Sequence, residues 1–331
     1  MEKSQEFAYN KLAYSLNGLS VVASLLIVFT VLAIFLFHRK FADRVSFRLA
    51  FLIALSDIGY HTSMMAGYHS SKSDFSCVYS TWGSVYFNLM FIFLTATIAF
   101  NLQIVFIHGK QNIRQFETTF VLISVCSALF LSGWPLVLGK FGFDPKFNSC
   151  WYLNQDDRLT LIWLWCTFYF WVVASVIYSL LVVIFVARRL LIRKRQISQE
   201  QFSMESKLTV EQCHQLKLVN YAVSRILAYA IVPIITQSSI FVASMYGYTH
   251  GEIPFAILIM AATGPGLQGV LNAIAFTFDP ALWALYHSTK TKCCDTASSD
   301  SFKQPSLAMR LHLDTSSRFD TLSIDEQLRA L

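Results

Sequence analysis

Asp57 and His61 stand four residues apart inside an otherwise apolar run, SFRLAFLIALSDIGYHTSMMAGY. On a helix that spacing stacks a carboxylate and an imidazole one turn apart on one face, a start toward a metal site. Zinc-assisted hydrolysis, however, needs three protein ligands and an open position for water. The other histidines do not supply them: His38, His108, His214 and His287 are expected on the cytoplasmic side, and His69 and His250 in outer loops. The sequence therefore implies no metal, no cofactor and no catalytic group.

A different chemistry fits Asp57 better. It falls near the middle of its apolar run, where an ionisable group costs several kcal/mol unless it is paired. Asn101 and Asn272 lie at similar depth, about two turns from the ends of their own runs. Asp57, Asn101 and Asn272 are expected to form a water-bridged polar cluster that holds one packing and rearranges in another. The plainer alternative is that each amide bonds its own backbone and nothing switches.

These groups need helices to hold them, and the composition supplies helices of one kind. Of 331 residues, 55% are hydrophobic and 14% charged, with 29 phenylalanines, more apolar surface than one soluble core uses. The stretch from Cys77 to Lys110 is central. Its apolar part, about 25 residues at about 1.5 Å each, crosses a hydrocarbon core about 30 Å thick. Asn88, Thr95, Thr97, Asn101 and Gln103 lie inside it, so the helix is expected to be buried among others. Six more runs are read as spans: Leu12–Phe37, Ser46–Tyr68, Phe116–Leu138, Leu159–Val186, Leu218–Tyr246 and Pro254–Phe278. An amphipathic piece, Ala281–His287, follows the stop at Asp279 and Pro280. The expected fold is an all-α membrane protein, a seven-transmembrane helix bundle. Residues 1–11 form a short extracellular N-terminus, 12–292 the bundle with its surface helix, and 293–331 a disordered tail.

The net charge of +6 sits in short loops, where it reports orientation and not nucleic-acid binding. One side receives Arg39, Lys40, Arg44, Lys110, Arg114, Arg188, Arg189, Arg193, Lys194, Arg195, Lys207 and Lys217. The other receives Lys3, Lys11, Lys72, Lys140 and Lys146. The N-terminus is thus expected outside and the tail in the cytoplasm, in a multi-pass plasma-membrane protein. Of seven cysteines, Cys77 and Cys150 are the two on the oxidising side. They are expected to form a disulfide, two free thiols being the alternative. Cys293 and Cys294 are palmitoylation candidates, or simply reduced thiols.

Several short motifs sharpen the reading. They are the outer Cys77 and Cys150 with Trp151, Gly133-Trp134-Pro135 in the fourth run, Arg225-Ile-Leu-Ala-Tyr229 leading to Pro233, and Leu271-Asn272-Ala-Ile-Ala-Phe276. Together they resemble G-protein-coupled receptors of the cyclic-AMP-receptor-like group, which includes fungal glucose-sensing receptors, and more distantly the secretin-like receptors. The third run ends Phe106-Ile-His108-Gly-Lys110, without the acidic-Arg-Tyr ending of the rhodopsin-like class. The resemblance implies a cell-surface receptor passing an extracellular signal to a heterotrimeric G protein, with a cyclic-AMP output and no enzymatic activity.

For such a receptor, a ligand entering from outside would meet His61, Met64, Tyr68, Trp82, Tyr86, Trp151, Asp156, Trp163, Trp165 and Gln237. Aromatic side chains at helix ends also serve as interfacial anchors. The outer loops hold no basic cluster to clamp a phosphate, which argues against a nucleotide ligand. His108, Lys110, Arg188, Arg189, Arg193, Lys217 and Arg225 would form a basic rim facing the G protein or anionic membrane lipids. Pro233 offers the sixth helix a bend. The Ser- and Thr-rich tail suits phosphorylation and desensitising partners. A multi-span transporter is the leading alternative and a seven-helix zinc hydrolase the lesser one. The seventh run has no lysine for a Schiff base, which argues against a retinal-binding pump.

Overall fold

The apolar runs fold as helices because a backbone in hydrocarbon must satisfy its own hydrogen bonds. The computed structural model describes residues 3–37, 45–69, 75–106, 114–144, 149–153, 158–203, 210–251, 253–279 and 282. In chain order the helices are α1 (Lys3–Phe37), α2 (Val45–His69), α3 (Phe75–Phe106) and α4 (Arg114–Val137). A β-hairpin follows, β1 (Phe141–Asp144) and β2 (Ser149–Tyr152). Next come α5 (Arg158–Leu164), a π-helical turn (Trp165–Tyr169), α6 (Phe170–Ser203), α7 (Val210–His250), α8 (Phe255–Gly266) and α9 (Gln268–Thr277). Six continuous helical segments are long and apolar enough to cross a membrane, and α8 with α9 makes a seventh, bent by 42°.

α3 is the most buried of the six unbroken spans. It packs against α2, α4, α6, α7 and both strands, as expected of a central helix. Two of its contacts are polar clasps: Tyr178 Oη of α6 donates to Gln103 Oε1 at 2.6 Å, and the hydroxyls of Thr97 and Ser124 on α4 meet at 3.1 Å. Phe87 packs against Gly59 of α2, where a Cβ would stand 2.5 Å from its ring.

Three features differ from the sequence reading. α1 is helical from Lys3 and not from Leu12, because its polar opening turns satisfy their backbone by helix formation although hydropathy gives no signal there. The loop 139–157 contains an antiparallel hairpin that pairs Phe141 with Tyr152, Gly142 with Trp151 and Phe143 with Cys150. The main bend lies in the seventh span. α7 continues through Pro233, whereas Gly264-Pro265-Gly266 ends α8 and Leu267 separates it from α9. The surface helix at 281–287 and the tail 293–331, with Cys293 and Cys294, lie outside the described residues, Leu282 excepted.

Candidate functional site

The hairpin is fixed at one end of the bundle by a Cys77–Cys150 disulfide joining the start of α3 to β2. Tyr152 is fully buried behind it and bonds the Thr167 hydroxyl at 2.8 Å. Thr167 donates its own proton to Trp163 O, so Tyr152 is the donor in that pair. Burial pushes the Tyr152 phenol above its ordinary range. Trp151 meets Phe168 edge-on, with ring centroids 6.0 Å apart.

The π turn inserts a residue into the fifth span and turns Trp165, Phe168 and Tyr169 toward the bundle. Trp165 and Tyr169 each pack edge-on against Phe241 of α7 at 6.0 Å. The Tyr169 hydroxyl also donates to Ser244. An aromatic cluster thus closes the space between the fifth and sixth spans. Neither the turn nor its consequence is visible in hydropathy.

Beneath that cluster, seen from the hairpin, a chain of buried polar side chains crosses the bundle. Asp57 is completely buried, and its two carboxylate oxygens accept from Gln268 Nε2 and Asn272 Nδ2 of α9, each at 2.7 Å. Gln268 Oε1 accepts from Gln237 Nε2 of α7 at 3.1 Å. Gln237 Oε1 accepts from Asn88 Nδ2 of α3 at 3.2 Å. The second, sixth, seventh and third spans are therefore joined by one line of hydrogen bonds. Nearby, His61 Nδ1 meets Asn17 Oδ1 of α1 at 2.7 Å. Asn17 already donates through Nδ2 to Ala13 O, so the His61 proton lies on Nδ1. Ser20 of α1 donates to Gly266 O at 2.6 Å, at the seventh-span bend.

Of the expected polar cluster, Asp57 and Asn272 are in direct contact. Asn101 is not part of the chain: both its amide atoms are buried without a hydrogen-bond partner. It lies on α3 thirteen residues beyond Asn88, near the opposite end of the span. Asp57 and His61 share a helix face but turn to different neighbours, α9 and α1, and do not form a metal pair. Among the described residues no group of three or more His, Cys, Asp or Glu stands together to hold a metal ion.

Of the aromatic candidates, Trp82 stacks on Tyr86 with rings 5.5 Å apart, and its Nε1 is buried without a partner. Met64 and Trp163 are half-buried and Gln237 is buried. Tyr68 is the penultimate residue of α2, while Asp156 lies outside the described residues. Arg188 and Arg189 are exposed on α6. Arg193 lies further along that helix, and Lys217 and Arg225 lie in α7. His108 and Lys110 are outside the described residues. The sequence reading missed Gln268, Asn17 and the linking role of Asn88. The rule that flags Asp57, a polar group at membrane depth, applies to all three, but uncharged amides raise a weaker signal.

The molecule is a helical membrane protein with a rhodopsin-like fold, its seven spans counting α8 and α9 as one. Squid rhodopsin, a solved structure, is similar to it with a TM-score of 0.55 and 12% identity, over 90% of this chain and 93% of that one. No family model and no curated protein matches the sequence. The likeness is one of fold, and α8 with α9 contains no lysine that could bind a retinal aldehyde.

Proposed function

We propose that this chain is a cell-surface G-protein-coupled receptor that passes an extracellular small-molecule signal to a heterotrimeric G protein, with cyclic AMP as its output. The observation that carries the reading is the Asn88–Gln237–Gln268–Asp57–Asn272 line, set inside a rhodopsin-like bundle. It links the half of the bundle beneath the hairpin to the seventh span, whose bend gives that span somewhere to move. The hairpin end is taken as extracellular, in keeping with the excess of Lys and Arg at the other end. A ligand acts by binding one arrangement of the line better than another. Asn101 supplies buried amide groups that a second arrangement would satisfy.

The basic ends of α6 and α7 suit the acidic or lipid-bordered face of a G protein. The motif resemblance favours the cyclic-AMP-receptor-like group. In cells expressing the chain, a panel of neutral aromatics, sugars, amino acids, lipids and nucleotides is expected to include a compound that changes cyclic AMP. A G-protein alpha subunit should co-purify in its presence. A transporter is the second reading, favoured by the bent seventh span with polar groups at mid-depth. Accumulation of a panel compound in sealed vesicles without G-protein coupling would establish it instead.

A further inference from the structure

The hydrogen bonds of the buried amide line all run in one direction. Both Asp57 oxygens accept, one from the Gln268 NH2 group and the other from that of Asn272. Gln268 is then left with Oε1 for Gln237, which must donate to it. Gln237 is left with Oε1 for Asn88, which must donate in turn. Every N–H along the line points toward Asp57 and every C=O points away. The far end is Asn88 Oδ1, which is buried and has no hydrogen-bond partner, on a side chain only 2% exposed. Aligned amides polarise one another, so this oxygen is a strengthened acceptor that repels anions and other acceptors.

The surroundings define what could meet it. On α3, Ser84 and Thr81 lie one and two turns from Asn88 toward the hairpin on nearly the same face. Both are small, and their hydroxyls are committed to Thr81 O and Cys77 O. On α7, Phe241 lies one turn beyond Gln237 and carries the edges of Trp165 and Tyr169. Among the described residues the buried acidic or basic side chains are Asp57, His61 and Asp279. The first two are engaged with Gln268, Asn272 and Asn17, and Asp279 lies past the end of α9. Asn88 therefore has small residues on one side and rings on the other; Asn272 Oδ1 and His61 Nε2 are also buried without partners, on the seventh and second spans.

We infer that Asn88 Oδ1 anchors a neutral aromatic ligand through an N–H or O–H donor on its ring. This deepens the receptor reading and rests on it for the ligand's role, though binding itself does not require a G protein. The test uses matched probes, indole against 1-methylindole and phenol against anisole, with binding to the purified full chain in nanodiscs followed by calorimetry. Each donor is expected to bind about tenfold more tightly than its methylated partner, one unmet hydrogen bond being about a factor of ten. Asn88→Leu should abolish the difference. Asp57→Asn is separated from Asn88 by Gln237 and Gln268 and is nearly isosteric, and it replaces an end that accepts from both amides with one that carries donors of its own. It should also shrink the difference, which covers the case in which Asn88→Leu does not fold. Equal binding within each pair, a preference that survives in both variants, or no binding of either donor would overturn the inference. Donor-selective binding without nucleotide exchange on a G protein would instead sink the receptor reading and leave the anchor standing.

Discussion

Asp57 has no basic partner among the described residues, so its stability at depth rests on two amide donors. Asp57→Ala strands both donors in a dry interior, at about 1–3 kcal/mol each. Thermal unfolding of the detergent-solubilised protein should show a clear loss. Adding Gln268→Leu to Asp57→Ala should cost much less than the two changes made separately, since they share one interaction. Additive losses would mean the two side chains are not coupled. Asp57 and Asn272 are legible in the sequence because a charge at membrane depth is conspicuous and its partner sits at matching depth. Gln268 is not, because it follows a proline and two glycines, and helix direction past such a break cannot be read from spacing.

At the scale of elements, the hairpin and the seventh span are held by different means. Cys77–Cys150 closes a loop with a sequence separation of 73, and its loss typically costs about 2–4 kcal/mol. Cys77→Ser, Cys150→Ser and the double variant should therefore be destabilised alike, as thermal melts can check. Tyr152 behind the hairpin has a phenol raised by burial. Its contribution is complete below pH ~10, the usual tyrosine value, and is lost as pH rises beyond it. Tyr152→Phe should flatten that alkaline loss in a stability-versus-pH series.

The seventh span lies close on α1 at Gly269, where a Cβ would stand 2.6 Å from Ser20 O and 2.7 Å from Ser24 Oγ. Gly269→Ala should cost about 1–3 kcal/mol through that overpacking. Gly133→Ala on α4 meets nothing within 4 Å and should be neutral or stabilising by up to about 1 kcal/mol. Paired melts of the two variants separate close packing from helix propensity. None of this close approach is legible in hydropathy, which marks where a helix runs but not which of its faces touches a neighbour.

For the whole molecule, apolar run lengths and the pairing expected of Cys77 and Cys150 suffice for the seven spans and the disulfide, because bilayer thickness limits span length and the two cysteines fall at the same end of the bundle. The hairpin and the π turn depend on tertiary contacts of Tyr152, Trp151 and Phe241, which leave no periodic trace. The central claim is that a signal entering beneath the hairpin reaches a G protein through the line that runs from Asn88 by way of Asp57 to Asn272. Nucleotide exchange on purified G-protein alpha subunits, with the chain in nanodiscs and indole as probe, tests it most directly. The account predicts exchange that rises with indole, stays at its basal level with 1-methylindole, and loses its indole response in Asp57→Asn. Exchange unchanged by either compound, or an indole response intact in Asp57→Asn, would contradict it.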